Sequence, residues 1–293
     1  YANYELESAI NKANASNTDD ASGAPHAWDE GWAFYYGSHP AGDGGKWSAW
    51  EFAYKRDFDY TNDVNGTTVA TATKVTDEIL PHFRQGLKGA RTGDVPMMIE
   101  ARNNIYRLLA LTSIRAALKY AYKAQYDGTT ASYSDEYHME AWAYFLAAAG
   151  WIEQAKSGAA ATVLSLLDFK KTEAQLDSNL YCAVKAALIP AYEPLGLDCE
   201  KVGVWKDLPA SVSCSNLPSC PATVTLPQGL ASYDFSTDST AGSNVDCGYP
   251  LDGTTSTTTI TSDGDTMSSA QSMATPLGLL LALAIASCGA FKL

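Results

Sequence analysis

The chain has 293 residues, 46% of them hydrophobic, which suffices for a substantial core in one or two domains. Its net charge of -13 excludes nucleic acid as a partner, because neutralising phosphates takes clustered Lys and Arg. No GxSxG elbow, Walker loop or GxGxxG turn occurs, so nothing points to an α/β-hydrolase, NTPase or dinucleotide site.

Residues 1–200 are predicted mostly helical. The first helix covers 1–13 and the second 24–37. The chain opens inside a helical pattern with no signal peptide, as expected of one whose N-terminal part has been removed. Residues 38–62, rich in Gly, aromatics and charge, read as a long ordered loop. A helix over 67–88 follows, with Pro81 kinking it or starting its second half. The clearest helix is 96–127. Pro96 suits its first turn, and Met98, Ala101, Ile105, Leu108 and Leu109 keep helical spacing. Another runs over 134–156 with Ser134 or Asp135 as N-cap, and a last one over 172–189 stops at Pro190.

Beyond residue 200 helical periodicity disappears. Residues 201–235 form a Cys/Pro-rich extension. Residues 236–275 are Ser/Thr-rich with too little apolar content for a core, which reads as a disordered, O-glycosylated stalk. Residues 276–293 hold the apolar run LGLLLALAIAS, short for a membrane span, behind a spacer of small residues. That order matches a GPI-attachment signal, with a tail anchor or a packed helix as alternatives. A GPI anchor implies the secretory pathway, where disulfides form. Cys214 is expected to pair with Cys220 across a short Pro-containing loop, and Cys182 with Cys199. The sequons at Asn14 and Asn65 agree with an extracellular chain.

An internal repeat aligns HAWDEGWAFYY (26–36) with EYHMEAWAYFL (136–146), so that Glu30 meets Glu140 and Trp32 meets Trp142. The fold class is therefore mostly α: an internally duplicated helical domain, then a disulfide-containing irregular segment and the stalk. His26 and Glu30 share a helix face with Asp29 beside them, and Glu136 and Glu140 share another. Glu100 stands in an otherwise apolar stretch of the long helix, where Arg102 or Arg107 offers it an ion pair. Glu78 and His82 have the same spacing in ordinary surroundings and read as a solvated pair. Carboxylates with imidazole on neighbouring helices are how helical proteins hold iron, and carboxylate oxygens suit Fe(III). The metal candidates are His26, Asp29, Glu30, Glu100, Glu136 and Glu140. Trp32, Tyr35, Trp142 and Tyr144 are the expected wall around them, with a tyrosine as a further Fe(III) ligand.

With its DEGWAFYYG run followed by EARNNIYR, the chain resembles the algal low-iron-inducible periplasmic proteins, also called Fe-assimilating proteins, over about residues 1–200. The resemblance implies a secreted or surface protein that is made under iron limitation, serves iron uptake and lacks evident catalytic motifs. It leaves room for carbonate or bicarbonate beside the metal. The expected function is Fe(III) binding at the cell surface or in the periplasm, with hand-over to a membrane iron transporter or reductase. Two alternatives remain open: a metal-dependent surface enzyme at the same carboxylates, and a structural GPI-anchored glycoprotein.

Overall fold

A 29-residue helix, α5 (Val95–Lys123), organises the computed structural model, which describes residues 1–37, 48–64, 67–69, 74–126 and 133–221. The Asp94 side chain caps α5 by accepting from the Met97 amide at 3.0 Å, and Pro96 occupies its first turn. Every residue from Ala110 to Leu118 is buried, so this stretch is covered on all sides, as a central helix requires. Against it pack α4 (Val75–Thr92) and α6 (Asp135–Ala155) most extensively. Gly93, at φ 70°, closes the α4–α5 hairpin in the left-handed conformation that glycine adopts without strain.

Around this centre lie α1 (Ala2–Asn14), α2 (Ala24–Tyr36), α3 (Ala49–Asp59), α7 (Ala159–Leu166), α8 (Leu180–Tyr192) and the short α9 (Cys199–Val202). β1 (Tyr60–Val64) is the middle strand of a small antiparallel sheet, between β2 (Thr67–Val69) and β3 (Val204–Trp205). Tyr60 pairs with Trp205, which ties the C-terminal segment back to the end of α3. The helices of the internal repeat sit in different settings. α2 packs on α1 and α4, while α6 packs on α5 and α7.

The mostly helical fold is as expected, with several corrections of detail. Helix α3 stands where a loop was read. Its Ser48 hydroxyl accepts from the Glu51 amide at 3.0 Å, the Ser-x-x-Glu signature of a helix start. Helix α4 begins at Val75 rather than 67, because residues 67–69 are drawn into the sheet. Pro81 lies inside α4, giving up one bond to the Asp77 carbonyl. Helix α8 starts at Leu180 and runs through Pro190 to Tyr192. The disulfides also differ: Cys182 bonds Cys214 and Cys199 bonds Cys220. Folding carries the 206–220 segment back over α8 and α9, so each thiol meets a partner distant in sequence. The two bridges fasten the Cys/Pro-rich segment to the helices. Cys247, Asn65, the stalk and the apolar tail lie outside the described residues.

One close packing contact makes a measurable prediction. Trp28 of α2 is buried flat against Gly86 of α4 and donates its indole N–H to the Phe83 carbonyl at 2.8 Å. A Cβ on Gly86 collides with the indole ring. Gly86→Ala is expected to cost about 3 kcal/mol, the upper end of overpacking, read as a lowered urea midpoint.

Candidate metal centre

On α2 the acid–aromatic run separates into two faces. His26 and Glu30 lie 3.5 Å apart on the outer face, with side chains 46% and 44% exposed. Asp29 is exposed beside them. Glu5 of α1 faces this pair, and its carboxyl is raised first by partial burial and then by the Glu30 charge. Trp32 and Tyr35 turn the other way, into the core, where both rings pack on Phe83.

Glu100 pairs with neither neighbouring arginine. Arg102 takes Glu7 at 2.8 Å, and Arg107 reaches Glu78 at 3.7 Å and the Gly196 carbonyl at 3.2 Å. One Glu100 carboxylate oxygen is buried without a hydrogen-bond partner. Glu78 is not the solvated acid of the sequence reading, since it is half-buried between Arg107 and Lys201. His82 contacts Gln85 instead, and burial pushes its imidazole down to about 4.

The second acid pair has a different environment. Glu140 and Tyr144 stand on α6 facing Tyr120 of α5 and Arg56 of α3. The Tyr120 hydroxyl lies within hydrogen-bond reach of the Glu140 carboxylate, the Tyr144 hydroxyl and the Arg56 guanidinium. The rings hold this arrangement: Tyr144 stacks on Tyr120 at 5.3 Å and on Phe52 of α3 at 4.8 Å. Burial raises the Glu140 carboxyl above the usual range, and nearby Glu136 adds to the effect. Lys123, Tyr120 and Arg56 oppose it. Both phenols are raised as well, by burial first; next in order come Glu140 for Tyr120, and Tyr120 followed by Glu140 for Tyr144.

Cations surround these oxygens. Arg56, only 5% exposed, pairs with Asp59 at 3.0 Å, and Lys119 reaches the same Asp59 oxygen at 2.8 Å. Lys123 sits 3.7 Å from the centre of the Tyr137 ring. Arg56 Nε and Nη1 are buried with no hydrogen-bond partner. Two vacant N–H donors on a buried guanidinium are costly unless something accepts from them. Trp142 leans away, edge-on to Phe169. His138 is buried and bonded to the Tyr133 hydroxyl at 2.9 Å.

Among the described residues, no three His, Cys, Asp or Glu side chains form a group that could hold a metal ion. The six sequence candidates thus occupy separate places: His26 and Glu30 with Asp29 beside them on the outside of α2, Glu100 on α5, and Glu136 with Glu140 on α6. Phenol oxygens alter the chemistry of the last place, because phenolate is a hard donor that binds ferric iron. Tyr120 and Arg56 were missed by the sequence reading. Tyr120 looked like helix core, and Arg56 lay in the segment read as loop.

These features define a disulfide-fastened helical protein with an oxygen-rich, cation-ringed site. The low iron-inducible periplasmic protein family matches residues 1–223, and the chain belongs to it. The match takes in the disulfide-held segment, beyond the 200 residues over which the resemblance was read. No curated protein and no solved structure matches the chain. No helix among the described residues is long and apolar enough to cross a membrane.

Proposed function

We propose that the chain captures ferric iron at the cell surface or in the periplasm and holds it for uptake under iron limitation. Glu140, Tyr120 and Tyr144 are the donors, with Glu136 beside them. The observation that carries this reading is the buried Arg56, which keeps two nitrogens unpartnered and neighbours a cluster of two phenols and a carboxylate. Arg56, Lys119 and Lys123 balance Asp59, Glu136 and Glu140 before iron enters. Fe(III) that displaces two phenolic protons adds one net positive charge. A monovalent oxyanion on Arg56 offsets it, and bicarbonate is planar and matched to a guanidinium fork. The GPI-type signal over 276–293 would tether the chain, and a membrane transporter or reductase would receive the iron. No catalysis is required.

The proton balance supplies the test. Buried phenols keep their protons at neutral pH and must lose them to bind iron, so binding releases protons and strengthens as pH rises. Toward acid pH the raised Glu140 carboxyl also takes a proton, which weakens binding further. The full chain, titrated with ferric nitrilotriacetate with and without bicarbonate, should bind one iron per chain. It should release protons, develop a visible phenolate-to-iron absorption band and bind more tightly with bicarbonate. Binding with no proton release and no band overturns this donor set.

A further inference from the structure

A cleft of about 250 Å³ lies between α2, α3 and α4. One wall is a ladder of rings. Trp32 stacks on Tyr36 at 5.2 Å, Tyr36 meets Trp50 at 5.5 Å, and Trp50 stacks on Tyr54 at 5.2 Å with their planes 16° apart. Phe58 continues it, edge-on to Tyr54 at 4.7 Å. Trp50, Tyr54 and Phe58 are spaced four residues apart on α3, so they repeat about every 6 Å along one helix face. Packing alone does not account for the outer rungs, since Tyr54 is 38% and Phe58 52% exposed.

The charges of the cleft narrow the ligand. Asp57 is neutralised by Arg115 at 3.0 Å and by three further donors from Val75 and Thr76. Lys74, poised over Phe58 at 5.6 Å, offsets Asp77. The lining therefore favours neither anion nor cation. An organic cation would meet the Lys74 ammonium, which already lies over the Phe58 ring, and is repelled by it. An uncharged ligand with flat apolar faces and a polar edge fits: its faces lie on the rings and its hydroxyls reach Lys74 and Asp77. That is the chemistry of a sugar ring, and a ladder of rungs suits a chain of them. A periplasmic protein works beside the glycans of the wall.

We propose that this cleft binds a neutral glycan chain, holding the protein near wall polysaccharide independently of its iron site. The test is calorimetric titration of the full chain with cellohexaose, maltohexaose and mannohexaose, with polygalacturonate and tetramethylammonium as charged controls. At least one neutral hexasaccharide should bind. Tyr54→Ala and Phe58→Ala, which remove exposed rings and leave the fold intact by circular dichroism, should each weaken it by about tenfold. Iron uptake should stay unchanged in both variants. The proposal is overturned if no neutral hexasaccharide binds or if binding ignores both substitutions. It is equally overturned if a charged control binds as well as the sugars do.

Discussion

Tyr144→Phe is expected to remove about half of the phenolate-to-iron absorption, leaving the Tyr120 share, and to lower Fe(III) affinity by about 100-fold or more, since loss of an outer-shell partner alone costs up to about that. The substitution removes one oxygen and little else. The ring remains to stack on Phe52 and Tyr120, so the helix contacts persist. Losing the hydroxyl's bond to Tyr120 costs stability only about 1 kcal/mol. Affinity and stability should therefore separate: an absorbance titration changes greatly while the melting temperature changes little. Tyr120→Phe should act at least as strongly, because its hydroxyl touches Glu140, Tyr144 and Arg56 together. Glu30→Gln is the comparison. Its partners lie on α1 and α2, so iron binding should not respond. A large loss in Glu30→Gln with none in Tyr144→Phe would move the iron to the α2 face.

What the sequence made legible follows from how local each signal is. Helix α5 was readable because Pro96 and its regularly spaced apolar residues all lie within the helix itself. Helix α6 was readable from its Ser134 cap. Helix α3 was obscured because aromatics and charges alternate along it, although the Ser48–Glu51 cap was there to be read. The disulfides and the pairing of Tyr60 with Trp205 depend on segments that meet only in the fold, so proximity in sequence misled. The site divides the same way. Glu140 and Tyr144 stood out as an acid among aromatics on one helix. Arg56 and Tyr120 come from two other helices, and nothing near either residue announces the partner it meets.

Asp57→Ala is expected to be the most destabilising of these substitutions, at about 3–5 kcal/mol, because it leaves Arg115 buried without its counter-charge. Both side chains are almost completely buried. One Asp57 oxygen accepts from Arg115 at 3.0 Å and from the Val75 amide at 2.9 Å. The other accepts from the Thr76 amide at 3.0 Å and the Thr76 hydroxyl at 2.9 Å. Helix α4 has no side-chain cap of its own at Lys74, so a residue of α3 supplies the acceptor for its first amides. Arg115 spends its remaining donors on the carbonyls of Lys201 and Val202, while Tyr60 donates to its backbone carbonyl. One ion pair thus joins α3, α4, α5 and α9, and a domain stable by roughly 5–15 kcal/mol loses a large share of that when the pair is broken. The sharper test replaces both partners. Asp57→Leu with Arg115→Met removes the stranded charge and should cost less than the two single substitutions combined, measured by urea unfolding. Arg56 and Asp59 flank Asp57 on the same helix, so Asp57→Ala should also loosen the iron site and lower Fe(III) affinity. Additive single costs with undisturbed iron binding would show instead that α3 is held by its aromatic packing alone.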